Sequence, residues 1–241
     1  IAMSVYYPLW QPPSPAMLHK GAAALEKTRG LTATPREKDY IGAIETYYRD
    51  HDKLDHRARA AAYEKAMEQV YRRYPDDREA AVFYALALNA TAAPADKTYA
   101  NQLKAGAILE KVFAEQPDHP GVAHYIIHSY DYPPLAGRGL IAARGYAKTA
   151  PSVPHAQHMP SHIFTRLGLW PESIDSNRAS ANAGKAYYAQ LGKDSVWDQT
   201  LHALDYIVYA HLQVGQDKQA RGVLEDLRAM RSLALTTGRS A

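Results

Sequence analysis

Two pairs of histidines recur in step along this 241-residue chain. His124 and His128 stand seven and eleven residues after Pro117, and His158 and His162 stand seven and eleven residues after Pro151. The offset of 34 residues is the period of a helix–turn–helix unit that stacks on copies of itself, because one unit alone cannot bury its apolar face. A chain with this period is constrained to an all-α stack of hairpins. It is also constrained to set the same two imidazoles at matching positions of consecutive units. Six of the eleven histidines fall between His119 and His162.

Helix punctuation fits that reading, and strand signals are nearly absent. Ser14-Pro15 and Thr34-Pro35 each place a capping hydroxyl before a proline at the first helical position, with Glu37 following the second. Helices are predicted over 15–29, 35–50, 55–74 (stopped at Pro75) and 76–89, the last capped by Asp76 with Glu79 at the capping-box position. A loop at 91–96 and a helix over 98–115 follow. After Pro117 the pattern is regular, with helices predicted over 120–131, 138–149, 155–167, 171–190, 196–213 and 217–233. Pro160 between His158 and His162 removes a backbone donor, so a kink or restart is expected there. Ile1-Ala2-Met3-Ser4 reads as the end of a helix already under way, so a further segment is expected before it. The expected organisation is N-terminal helices and a Pro-rich loop over 1–56, helical repeats over 57–233, and a frayed tail over 234–241.

The turns carry a resemblance. Gly168 to Ser173, within Arg166-Leu167-Gly168-Leu169-Trp170-Pro171-Glu172-Ser173, and Gly215 to Ala220 keep the spacing of a glycine that closes one helix and a small residue that admits the next. Gly139 stands where Ser173 does, one unit earlier. These segments resemble tetratricopeptide repeats (TPR), most clearly after Pro117. The histidine-bearing strings resemble bacterial proteins of that type with no assigned activity. The resemblance implies a right-handed superhelix whose first helices line a concave groove.

Bulk properties narrow the function. The net charge is +3 and no basic stripe stands out, so nucleic acid is not favoured as a partner. The absence of cysteine excludes disulfides and thiolate–metal sites. No apolar run reaches the ~18–20 residues of a membrane span, so a soluble chain is expected. The compartment is left open, as is a signal peptide in the segment expected before Ile1. The sequence around Gly137-Arg138-Gly139 matches a dinucleotide fingerprint by letter only, since no strand precedes it.

Chemistry concentrates on three helix stripes: His124, His128 and Asp131; His155, His158 and His162; His202, Asp205 and Tyr209. Alignment through Gly168 and Gly215 predicts the columns His124/His158/Asp205 and His128/His162/Tyr209, with His202 beside His155. These nine residues are the expected groove. Tyr125, Tyr130, Tyr132 and Tyr206 are expected nearby, and Trp10 is a candidate for closing one end. His119, His211, His19, His51 and His56 are expected to be solvated or capping. Neutral imidazole is the commonest transition-metal ligand, and an i, i+4 pair can bind one ion from one helix face. His124, His128, His158 and His162 are therefore candidate ligands for zinc, copper, iron or manganese, although Tyr125 stands where an HExxH hydrolase needs glutamate.

Two functions follow. The first is a scaffold whose His/Tyr/Asp-lined groove takes a peptide, a partner segment or a small ligand. The second is a metal-dependent hydrolase or oxidoreductase, with Asp131, Asp205 or Tyr209 as acid, base or extra ligand. A third, structural reading expects the imidazoles to be buried and hydrogen-bonded to one another with no cavity, and the two functional readings differ in one observable. A metal site gathers at least three histidine nitrogens around one point, whereas a peptide groove strings them along its length.

Overall fold

A computed structural model describes residues 11–193, 195–230 and 233–234. Trp10, the segment Ile1–Ser4 and the tail from Thr236, for which expectations were given above, lie outside the described residues. The chain divides into two compact units, the first running to Glu115 and the second beginning at Gln116.

The first unit comprises α1 (Pro15–Glu26), α2 (Pro35–Tyr48), α3 (His56–Arg73), α4 (Arg78–Thr91) and α5 (Ala100–Glu115), each packed on its sequence neighbour. Caps set the helix starts. Ser14 Oγ accepts from the Met17 amide, and Thr34 and Glu37 form a reciprocal capping box. The cap of α4 is Asp77, one residue later than predicted, and it accepts from the Ala80 amide. Asp77 wins because its other carboxylate oxygen is also held by Arg36 at 2.6 Å and by Tyr40 at 2.8 Å. Asp76 contributes only its backbone carbonyl, to Arg78. Tyr47, Met67, Tyr84, Leu86, Leu88 and Leu109 fill the core of this unit.

The second unit comprises α6 (Pro120–Tyr130), α7 (Ala136–Tyr146), α8 (Pro154–His158), α9 (Pro160–Arg166), α10 (Trp170–Gln190), α11 (Asp198–Gln213) and α12 (Asp217–Ala229). The single helix predicted over 155–167 is broken between α8 and α9 by Pro160. Met159 keeps helical dihedrals (φ −51°, ψ −38°), so the two pieces continue in nearly one direction. The helix predicted over 217–233 ends at Ala229. Beyond it, β2 (Leu233–Ala234) pairs in parallel with β1 (Val196–Trp197). Gly168 (φ +70°) and Gly215 (φ +69°) close α9 and α11 in the left-handed conformation that glycine adopts without a Cβ penalty. The small residues five positions on, Ser173 and Ala220, are buried as predicted. At Gly139 a Cβ would come within 2.9 Å of Ile163 Cδ1, so the glycine allows α9 to lie close on α7.

Packing then brings four helices around one place. α6 packs on α7, and α9 lies against both; α8 and α9 pack on α10, and α11 packs on α10 and α8. The fold class is all-α helical repeat, with one two-residue β pair among the described residues.

Candidate metal centre

α6 carries His124 and His128 one turn apart. The α8–α9 segment carries His155, His158 and His162, and α11 carries His202. All six imidazoles meet, in two groups of three whose ligand nitrogens lie within 4.8 Å of one another.

In the first group the Nε2 atoms converge. His124 Nε2 lies 3.0 Å from His128 Nε2 and 3.2 Å from His155 Nε2. The His124 ring stacks on Tyr125 and on Tyr146, with centroids 5.3 and 5.6 Å away. In the second group His158 Nε2 lies 3.0 Å from His162 Nε2, and the His202 ring is 4.5 Å from that of His158. Tyr206 sits against all three rings at 4.9–5.6 Å. Pro160 therefore leaves the i, i+4 approach of His158 and His162 intact.

The far sides of the His158 and His162 rings are fixed. Asn177 Nδ2 donates to the Ser173 carbonyl at 2.8 Å, which turns Asn177 Oδ1 toward His158 Nδ1 at 2.6 Å. Asp131 Oδ2 faces His162 Nδ1 at 2.9 Å, while Asp131 Oδ1 accepts from Arg166 Nε at 2.8 Å. Both acceptors require the proton to sit on Nδ1. The Nε2 atoms of the two rings face each other across 3.0 Å. That contact is attractive when one Nε2 carries a proton or when a cation binds both nitrogens.

The electrostatics keep most of these rings uncharged. Burial, reinforced by neighbouring imidazoles, pushes His124 and His158 well below the usual histidine range. The same causes push His128 down to about 3 and His155 to about 4, and they lower His202. Metal ligation requires the neutral form. Asp131 stays ionised, because His162 and Arg166 together outweigh the burial that would raise it.

The third row differs from the alignment. Asp205 is exposed, its charge raising His202 and Tyr206 from outside the converging nitrogens. Tyr209 is 49% exposed and packs on the edge of Trp170. Instead His202 lies beside His158, and Tyr206 lies beside His162. The rows therefore read His124/His158/His202 and His128/His162/Tyr206. The physical reason is helix length. Six residues separate His162 from Gly168 but nine separate Tyr206 from Gly215, so α11 has nearly one extra turn before its closing glycine.

Of the other histidines, His119 caps α6 by accepting from the Gly121 amide. His211, expected on the outer face, is buried and pairs with Gln216 at 2.7 Å. Sequence reasoning missed Asn177 and the paired role of Arg166. The signal for Asn177 was present: Ser173, Asn177, Ser180 and Gly184 form a helical stripe of small and polar residues, which is the buried face of α10.

No protein-family model matches this chain, and no curated protein sequence matches it. Solved structures do. MamA from Desulfovibrio magneticus RS-1, from its residue 41 onward, is similar with a TM-score of 0.60 at 9% identity, over 82% of this chain and 96% of that one. A mutant form of MamA is similar with a TM-score of 0.54 at 16% identity, over 82% of this chain and 100% of that one. MamA is a TPR-like helical protein. The chain has a TPR-like helical-repeat fold, on which six histidines are gathered.

Proposed function

We propose that the second unit is a transition-metal-binding module. The observation that carries this reading is the convergence of His158 and His162, whose Nδ1 atoms face Asn177 and Asp131 and whose Nε2 atoms meet at 3.0 Å. A proton or a metal ion would make it attractive. A shared proton needs two nitrogens, however, and each group collects three. Donors held at ~2.0–2.1 Å around a tetrahedral ion lie about 3.3–3.4 Å apart, near the separations of 3.0 and 3.2 Å found here. Nδ1 contacts to a carboxylate and an amide are the outer partners that orient ligating histidines.

The ligand set differs from the one expected from sequence. His124 and His128 fall in one group and His158 and His162 in the other, so His155 and His202 complete the threes. The groove reading expected the histidines strung out, and their convergence favours metal. A protein partner for the repeat as a whole is a separate role that the fold supports.

The test is elemental analysis of tag-free protein by inductively coupled plasma mass spectrometry, beside a His124→Ala/His158→Ala double variant. Near-stoichiometric metal that the double variant loses is the expected result. No metal in either sample, even after reconstitution with zinc, copper, iron and manganese, sinks the reading.

A further inference from the structure

The two histidine groups collect equal numbers of nitrogens in unequal surroundings. In the second group the Asp131 carboxylate stands behind His162 at 2.9 Å, and Asn177 stands behind His158 at 2.6 Å. The charges of Asp198 and Asp205 act on His202, which is exposed. In the first group the His124 ring lies against Tyr125 and Tyr146, and Gln199 bonds to His155. Neither His124 nor His155 has a carboxylate partner among the described residues. The Asp131 charge also reaches His128, but its two oxygens are bonded to His162 and Arg166. We propose that the groups are a strong and a weak site, and that one divalent transition-metal ion binds first to His158, His162 and His202. This rests on the metal-binding reading above.

Ligand orientation favours the second group. An outer acceptor on Nδ1 fixes a ligating imidazole, and a carboxylate in that place also makes it more basic. His158 has such an amide and His162 has such a carboxylate.

Charge favours the same group. A divalent ion brings two positive charges, and unpaired charge away from water is costly. Arg166 offsets Asp131, and Asp198 and Asp205 then supply negative charge on the side of His202. Around His124 and His155 the neighbours are phenols and an amide. Occupancy of one group also opposes occupancy of the other. The His128 ring is 6.5 Å from that of His162, and the His155 ring is 6.4 Å from that of His158. Like charges repel at such range, and no carboxylate belongs to either group of nitrogens among the described residues.

The experiment titrates the metal-free chain with zinc(II), and in parallel with copper(II), against a coloured chelator. The expected result is one tight equivalent per chain and a second that binds about 10-fold or more weakly. His202→Ala should lose the tight step and keep a weak one. His155→Ala should keep the tight step at wild-type affinity and lose the weak one. Circular dichroism checks that each variant folds. Two equivalents of equal affinity, or a tight step lost in His155→Ala and kept in His202→Ala, would overturn the ranking while leaving metal binding intact. A chain that takes up neither ion would also overturn it, and elemental analysis of the same sample then decides whether the metal reading falls with it.

Discussion

Asp131 and His162 are bound as a pair across two helices, with Oδ2 accepting from Nδ1–H at 2.9 Å while Arg166 holds the other carboxylate oxygen at 2.8 Å. The pair aims the free nitrogen of His162 at His158. A carboxylate behind a ligating imidazole also raises its basicity, and removing such a partner commonly costs 10–100-fold in metal affinity. Asp131→Asn keeps an acceptor but loses the charge. It should weaken metal binding by roughly that factor, read by competition with a coloured chelator. Affinity equal to that of the wild type would separate Asp131 from the metal site.

Asn177 is fully buried, between His158 Nδ1 and the Ser173 carbonyl. Asn177→Leu strands the His158 proton in the core without a partner. The expected destabilisation is about 1–3 kcal/mol, measured by urea unfolding of the metal-free chain. An unchanged midpoint would mean that His158 adopts the other tautomer.

Gly139 gives α9 room to approach α7. An alanine Cβ there meets Ile163 Cδ1 at 2.9 Å and Cγ1 at 3.2 Å, with Tyr130 Cβ in ordinary contact at 3.4 Å, so a small shift of the Ile163 side chain accommodates it. A valine adds two methyl groups to that Cβ, with Ile163 and Tyr130 Cβ already at 2.9 and 3.4 Å. Gly139→Val should cost about 1–3 kcal/mol and Gly139→Ala distinctly less, compared by thermal melting. Equal losses would contradict the close-packing account.

The first unit should show an acid-sensitive element at Asp77. Burial raises this carboxyl, but hydrogen bonds from Arg36, Tyr40 and the Ala80 amide outweigh it, and the net direction is down. A carboxyl with a lowered folded pKa contributes stability above its unfolded value of ~3.9, and that contribution is lost as pH falls through the folded value. Asp77→Asn should therefore destabilise at neutral pH and flatten the acid limb of a urea-midpoint series between about pH 5 and pH 2. Parallel acid limbs for wild type and variant would exclude the linkage.

Much of this architecture was legible because its signals are local. Ser14-Pro15, Thr34-Pro35 and the glycines at 168 and 215 act within a turn of themselves, and each marks a boundary that the structure keeps. The 34-residue step between His124/His128 and His158/His162 was equally plain. The third row was not. Its register depends on how many residues α11 spends between Tyr206 and Gly215, which nothing local dictates, so Asp205 and Tyr209 were aligned with His158 and His162, where His202 and Tyr206 stand. Asn177 was hidden for a related reason. A buried asparagine on a small-residue face looks like packing until the ring that it fixes is in place. The cap at Asp77 rather than Asp76 was decided 41 residues away, by Arg36.

The central claim is that imidazole nitrogens converge on metal ions. Its most direct test is an anomalous difference map from a crystal of the reconstituted protein, collected on either side of the absorption edge of the bound metal. The account predicts a peak about 2.0–2.2 Å from the Nε2 atoms of His158 and His162 and from a ring nitrogen of His202. A continuous hydrogen-bonded chain of imidazoles and water at that place, with no anomalous peak, would contradict it.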